Sequence, residues 1–118
     1  MEFDARHFVH WFRQAGPYIQ GHRGRTFVVA IDDDAVDSPV FHSLIQDVTL
    51  LHTLGIRLVV VHGARRRIGR RLAAAGLESR FHNGVRVTTD QALPHVMDAA
   101  ASVHMDIKAQ LSMGLANT

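Results

Sequence analysis

The chain has 118 residues, 47% apolar and 20% charged, with no cysteine and a formal net charge of +2. That length suffices for one domain, the composition excludes a disordered chain, and the lack of cysteine excludes a disulfide framework and thiolate chemistry. No apolar run reaches the ~18 residues of a membrane span, and Met1-Glu2-Phe3-Asp4 is acidic without an apolar signal core, so a cytoplasmic protein with no membrane partner is expected.

The first predicted element is a helix over residues 3–15. Phe8, Trp11, Phe12 and Ala15 fall on one stripe, and Gly16-Pro17 is expected to end it. So large an apolar face packs either on its own domain or on another subunit. After a turn at Gly21-His22-Arg23-Gly24, the run Thr26–Ile31 is nearly all apolar, as in a strand covered on both faces. Ser38 and Pro39 are placed to cap and open a helix whose inner face is Val40, Phe41, Leu44, Ile45, Val48 and Leu51, with Gly55 as its stop. A second buried strand, Ile56–Val61, completes a βαβ unit.

His62-Gly63-Ala64 leads into a helix over 65–75, with Ile68, Leu72 and Ala75 inward and Gly76 at its end. Asn83-Gly84 between short apolar segments predicts a hairpin over 81–88. Thr89 can cap a helical stretch over 90–116, striped by Leu93, Val96, Met97, Ala100, Val103, Ile107 and Leu111, with a break near Ser102. Asn117-Thr118 follows with no closing strand, so an incomplete domain is expected.

In open α/β sheets ligands bind beyond the carboxyl ends of the strands. The first such end carries Asp32-Asp33-Asp34. A phosphate site needs glycines there, and usually a lysine, whereas three carboxylates repel a nucleotide. They read as a solvated turn, with Mg2+ binding as the alternative, although consecutive side chains do not all point one way. The second end, His62-Gly63-Ala64-Arg65, stands at a helix N-terminus suited to an anion. Arg65, Arg66, Arg67, Arg70 and Arg71 follow. They read as a solvated helix face, with a nucleic-acid contact as the alternative that the near-neutral net charge disfavours. Arg86 lies between two valines of the hairpin, where alternation puts it on the solvent face unless it reaches a ligand carboxylate. The nine histidines suggest no metal site: His7 and His10 share a helix face without a carboxylate partner. There is no GxSxG elbow for a nucleophile.

Several segments together resemble the amino-acid-kinase-like domain of bacterial N-acetylglutamate synthases. They are Pro17-Tyr18-Ile19, Gly24–Val29, Leu50–Arg65 with its Leu54-Gly55-Ile56-Arg57 core, Arg86-Val87-Thr88 and Asp106–Met113. The resemblance covers residues 8–118. It implies an α/β three-layer sandwich with a mainly parallel sheet of the amino-acid-kinase (carbamate-kinase-like) type, incomplete in this chain. It divides the chain into an N-terminal helical arm, residues 1–20, and the N-terminal half of the domain, residues 21–118. The implied enzyme is an amino-acid N-acetyltransferase that makes N-acetylglutamate from acetyl-CoA and glutamate, the first step of arginine biosynthesis. Acetyl transfer would belong to a separate domain absent here, so the segment would carry no catalytic residue, bind no cofactor or metal, and be inactive alone. Its implied roles are arginine feedback regulation and assembly of a homo-oligomer, a hexamer in arginine-sensitive relatives, through the N-terminal helix.

Residue by residue, the resemblance places Tyr18 in part of an arginine site. It matches Gly63 and Arg86 to positions that hold acetylglutamate in the related kinases. It also marks departures. Those kinases carry a lysine in the first strand and a glycine pair after it, where this chain has Ala30 and Asp32-Asp33, and their glycine run after the histidine is interrupted here by Ala64 and Arg65. An active acetylglutamate kinase and a stand-alone arginine-binding module are the competing readings, and the missing lysine and glycines argue against the first.

Overall fold

The computed structural model describes residues 4–114. The first residue of the expected opening helix, residues 115–116 of the long helical stretch, and Asn117-Thr118 lie outside the described residues. The elements in order are α1 (Ala5–His22), β1 (Thr26–Ile31), α2 (Asp33–Val36), α3 (Phe41–Thr53), β2 (Arg57–His62), α4 (Arg65–Ala74), β3 (Arg80–His82), β4 (Val85–Val87) and α5 (Leu93–Met113).

Helix α1 starts on Asp4, whose carboxylate accepts the N–H groups of Arg6 and His7 at 3.0 and 3.3 Å, a side-chain cap that satisfies two orphan donors. The helix does not stop at Gly16-Pro17 as its sequence predicts; it runs on to His22 with Pro17 inside it. Proline removes one backbone bond and normally crowds the Cβ of the residue before it. Gly16 has no Cβ, and one added there would meet open space. No residue of α1 is buried, and Trp11 and Phe12 are 63% and 55% exposed. Of the two coverings expected for the aromatic stripe, the described part of its own domain supplies little beyond Leu54, which lines a shallow recess with Trp11 and Ala15.

Strands β1 and β2 pair in parallel from Thr26 opposite Arg57 to Ile31 opposite His62. The crossover between them holds α3 and also the short α2, which the sequence did not predict. Helix α3 begins at Phe41, later than expected. The Ser38 hydroxyl accepts the Val40 N–H at 3.2 Å, and the Phe41 N–H reaches the Ser38 carbonyl at 3.1 Å. Ser38-Pro39 is therefore a turn, and Val40 points outward while Phe41 is buried. Ile31, Val36, Phe41, Ile45, Ala64, Val103 and Ile107 form the core, with Val29 and Val60 packed on it from the sheet. Helices cover that one face. On the other, Val28 and Val61 stay 68% and 50% exposed, because no described element lies over it.

Helix α5 passes Ser102 without a break. The Ser102 hydroxyl donates to the Ala99 carbonyl at 2.8 Å and accepts from Arg67 Nη1 at 3.1 Å. Its inward stripe is Ala99, Val103 and Ile107, leaving Leu93 and Met97 exposed. Helix α5 begins at Leu93, later than expected, and its cap residue is Ala92, which offers no side-chain bond; the Thr89 hydroxyl accepts the Ala92 N–H at 3.2 Å in the turn before it. The hairpin β3–β4 turns on Asn83-Gly84, both at positive φ, the conformation that an Asn-Gly turn selects.

Two helices end as their glycines predict. After α3, the Ile56 N–H bonds the Leu51 carbonyl at 3.2 Å, and the Gly55 N–H bonds His52. After α4, the Leu77 N–H bonds Leu72 at 2.9 Å, and the Gly76 N–H bonds Ala73. Both are Schellman endings, and both glycines sit in the left-handed region, at φ 92° and 73°. Ala75, expected to face inward, is the exposed residue that closes the second. Gly76→Ala is expected to lower stability by about 1–2 kcal/mol from backbone strain alone. Gly55→Ala should cost more, since its Cβ would fall 2.9 Å from Arg23 Cγ. Urea unfolding of the two variants checks both the size and the order.

Candidate functional site

The carboxyl ends of β1 and β2, read from the sequence as two separate loops, form one site. Helix α4 opens on Ala64, which offers no side-chain cap, and its first turn holds no acidic residue. Its terminal N–H groups therefore need an acceptor from elsewhere. Asp33 supplies it: Oδ2 accepts the Arg67 N–H at 2.8 Å. Asp33 is 1% exposed, the one buried charged residue among those described. The solvated-turn reading of Asp32-Asp33-Asp34 is corrected on this point. Asp32 caps α2 through the Asp34 N–H, Asp34 meets Arg66, and the middle carboxylate turns inward onto a helix terminus. No metal-binding group of three or more ligands occurs among the described residues.

Burial pushes the Asp33 carboxyl up, but the Arg67 N–H bond, the Asp32 side chain and the Arg66 N–H outweigh it, and the acid is held below its ordinary pKa. Asp33 Oδ1 is buried without a hydrogen-bond partner, so the direct contact to the helix terminus is made by Oδ2. A carboxylate thus occupies the place where α4 would otherwise receive a dissolved anion.

The side chain of Arg67 extends the junction. It donates to Asp37 at 2.8 Å, to Asp106 at 2.7 Å and to Ser102. Burial works against its charge, yet Asp106 and Asp37 together raise its pKa. Arg70 also bonds Asp37. Asp37 is held low by Arg70 first, against burial, with Arg67 adding to it. Arg71 pairs with Asp98 and Arg66 with Asp34, at 2.7 and 2.8 Å. Four of the five clustered arginines are therefore paired with aspartates; Arg65, Arg66, Arg70 and Arg71 lie on the solvated face as expected, and only Arg67 is drawn inward. A nucleic-acid surface would need those charges free.

Arg65 and Arg86 flank an open cleft of about 430 Å³ lined also by Asp32, Arg66, Ser79 and Phe81. Phe81 and Arg86 are cross-strand partners, so their side chains share a face. The Arg86 guanidinium lies 4.8 Å from the Phe81 ring centre and Arg65 5.4 Å, within cation–π range. Arg86 donates to the Ser79 hydroxyl at 2.8 Å and the Arg65 carbonyl at 3.2 Å. Its default solvent-facing placement is replaced by a half-buried, tethered one. Gly63 lies exposed at the end of β2, and a Cβ there would meet open space.

Tyr18 lies elsewhere. It is 71% exposed on α1, beside a shallow recess formed with Trp11, Ala15, Ile19 and Leu54. Those residues precede the two strands, so Tyr18 sits at their amino ends. Six-residue strands put it roughly 16 Å or more from Gly63 at their carboxyl end. The sequence reading missed Asp33 as an internal anion, Arg67 as a hub and Phe81 as a platform. For Asp33 a signal existed, since a helix opening on alanine leaves its donors unmet.

Residues 25–117 match the amino acid kinase family. Amino-acid acetyltransferases of Pseudomonas fluorescens and Pseudomonas paraeruginosa are 46% and 49% identical to this chain, over 94% and 92% of it but only 26% and 25% of their own length. A crystal structure of N-acetylglutamate synthase from Neisseria gonorrhoeae, complexed with coenzyme A and L-arginine, matches with a TM-score of 0.79 at 36% identity, over 93% of this chain and 26% of that one. The chain spans about a quarter of the length of these relatives.

Asp33→Ala is expected to cost about 1–3 kcal/mol, since it strands the Arg67 N–H. Because the folded-state pKa of Asp33 is depressed, its contribution is present above the ordinary carboxylate value of about 4 and is lost as pH falls through the lower folded value. Asp33→Asn should therefore flatten the acid side of the stability–pH curve, measured by urea unfolding between neutral and acid pH.

Proposed function

The chain belongs to the amino acid kinase family, and on that premise we propose that it is the regulatory and assembly part of an N-acetylglutamate synthase, not a phosphotransferase. The observation that carries this reading is the Asp33 carboxylate on the amino end of α4. A kinase needs that terminus open to a phosphate; here a fixed negative charge fills it and repels a second. Ala30 supplies no lysine to offset that charge. The similarity to amino-acid acetyltransferases, at 46–49% identity over nearly the whole chain, supports the same parent enzyme.

In this reading the whole protein acetylates glutamate with acetyl-CoA at the start of arginine biosynthesis, in the cytoplasm. A separate acetyltransferase domain carries the chemistry. Residues 1–20 form the assembly arm of a homo-oligomer, and residues 21–118 belong to the kinase-like domain. Support for the arm is the exposed Trp11 and Phe12 on a helix with no buried residue. L-Arginine is the effector, supported by the arginine-complexed relative, and Tyr18 forms part of its site. Gly63 and Arg86 are vestiges of a substrate site: Arg86 is now spent on Ser79 and Phe81.

Titration calorimetry with Mg-ATP should give no binding heat; tight binding would sink the role assigned to Asp33. In the protein at the full length of its relatives, Tyr18→Ala should weaken inhibition by arginine while leaving uninhibited acetyl transfer unchanged. Unaltered inhibition would remove Tyr18 from the effector site.

A further inference from the structure

Two of the nine histidines, far apart in sequence, meet where β2 ends against α5. His62 is the last residue of β2 and His104 lies within α5. His62 Nε2 and His104 Nδ1 are 3.4 Å apart, with ring centres 5.6 Å apart and planes tilted by 42°. The other nitrogen of His62, Nδ1, lies 3.3 Å from the Gly63 carbonyl oxygen. A carbonyl can only accept, so that contact places the proton on Nδ1 and turns the Nε2 lone pair toward His104. Backbone carbonyls orient metal-ligating imidazoles in the same way.

The separation itself is informative. It is at the long limit for a hydrogen bond between nitrogens. Yet two nitrogens each ~2.0–2.1 Å from a tetrahedral ion lie about 3.4 Å apart. In the tautomer with its proton on Nε2, His104 turns an Nδ1 lone pair toward His62 Nε2, and a small rotation of the exposed His104 ring brings both lone pairs onto one ion.

We propose that His62 Nε2 and His104 Nδ1 form a two-histidine site for a borderline divalent transition ion such as Zn2+, with solvent completing the coordination. Two imidazoles and no oxygen ligand select such an ion over Mg2+ or Ca2+. Among the described residues no further histidine or carboxylate joins the pair in a three-ligand group, so the site is an open one. An ion there links the carboxyl end of β2, next to Gly63 and the start of α4, directly to α5. This inference is independent of the acetyltransferase reading.

The test is Zn2+ titration of the purified chain, followed by calorimetry and by the NMR signals of the histidine rings. One ion per chain should bind, and the His62 and His104 rings should respond together. His62→Gln and His104→Gln should each weaken that binding by at least about tenfold. His7→Gln combined with His10→Gln, which removes two histidines of α1, should leave it unchanged. His104 is exposed, so its variant should keep the wild-type melting temperature without metal, and it decides the matter alone if His62→Gln misfolds. Undiminished affinity in His104→Gln, or loss of binding in the His7/His10 variant, would overturn the proposal. Mg2+ at the same concentration should leave the two rings unmoved.

Discussion

Everything at the carboxyl edge of the sheet depends on one contact, the Asp33 carboxylate on the amino end of α4. Asp33 follows β1 and α4 follows β2, so the contact ties together the segments that leave the two strands. Its donor, Arg67, uses its backbone for Asp33 and its side chain for Asp37, Asp106 and Ser102. One residue thus joins α2, α4 and α5. A part-buried charge network of this kind stabilises only when every member is satisfied, and loss of one partner strands the others. That is why the arginine cluster, so prominent in the sequence, presents little free charge in the folded chain.

The same junction differs from a phosphate-binding strand end. Glycines after a strand let backbone N–H groups approach an anion. Here aspartates replace them, and the nearest charge on the helix terminus is covalently part of the protein. The remaining cleft, between Arg65 and Arg86, keeps a cationic rim, but its guanidiniums are stacked on Phe81, and Arg86 is held further by Ser79. Tyr18 lies at the far, amino end of the strands, beside the aromatic face of α1. The two clefts thus lie apart, one lined by Arg65, Phe81 and Arg86 and the other by Trp11, Tyr18 and Leu54.

What could be read from the sequence was local. Both strands, the glycine stops at Gly55 and Gly76, and the Asn83-Gly84 turn depend on residues within a few positions of each other, and all are present. The expected stop at Gly16-Pro17 failed: the helix tolerates Pro17 in its interior, and Gly16 relieves only the milder crowding of the preceding residue. Val40, Leu93 and Met97 fit a helical period but face solvent, since period alone fixes a stripe only to within a neighbouring residue. Asp33 was misread because its partner is thirty-four positions away. The missing cap at Ala64 was the only trace of it in the chain. Arg86 was misread because strand alternation says nothing of a platform on the partner strand.

A helix terminus that carries its own anion has a further consequence. An empty terminus samples the solution around it, and its occupancy follows the concentration of whatever phosphate the cell contains. With Asp33 in place, that terminus holds a negative charge of its own above the carboxylate's titration range. A dissolved anion that reaches this position meets a carboxylate that is already part of the chain.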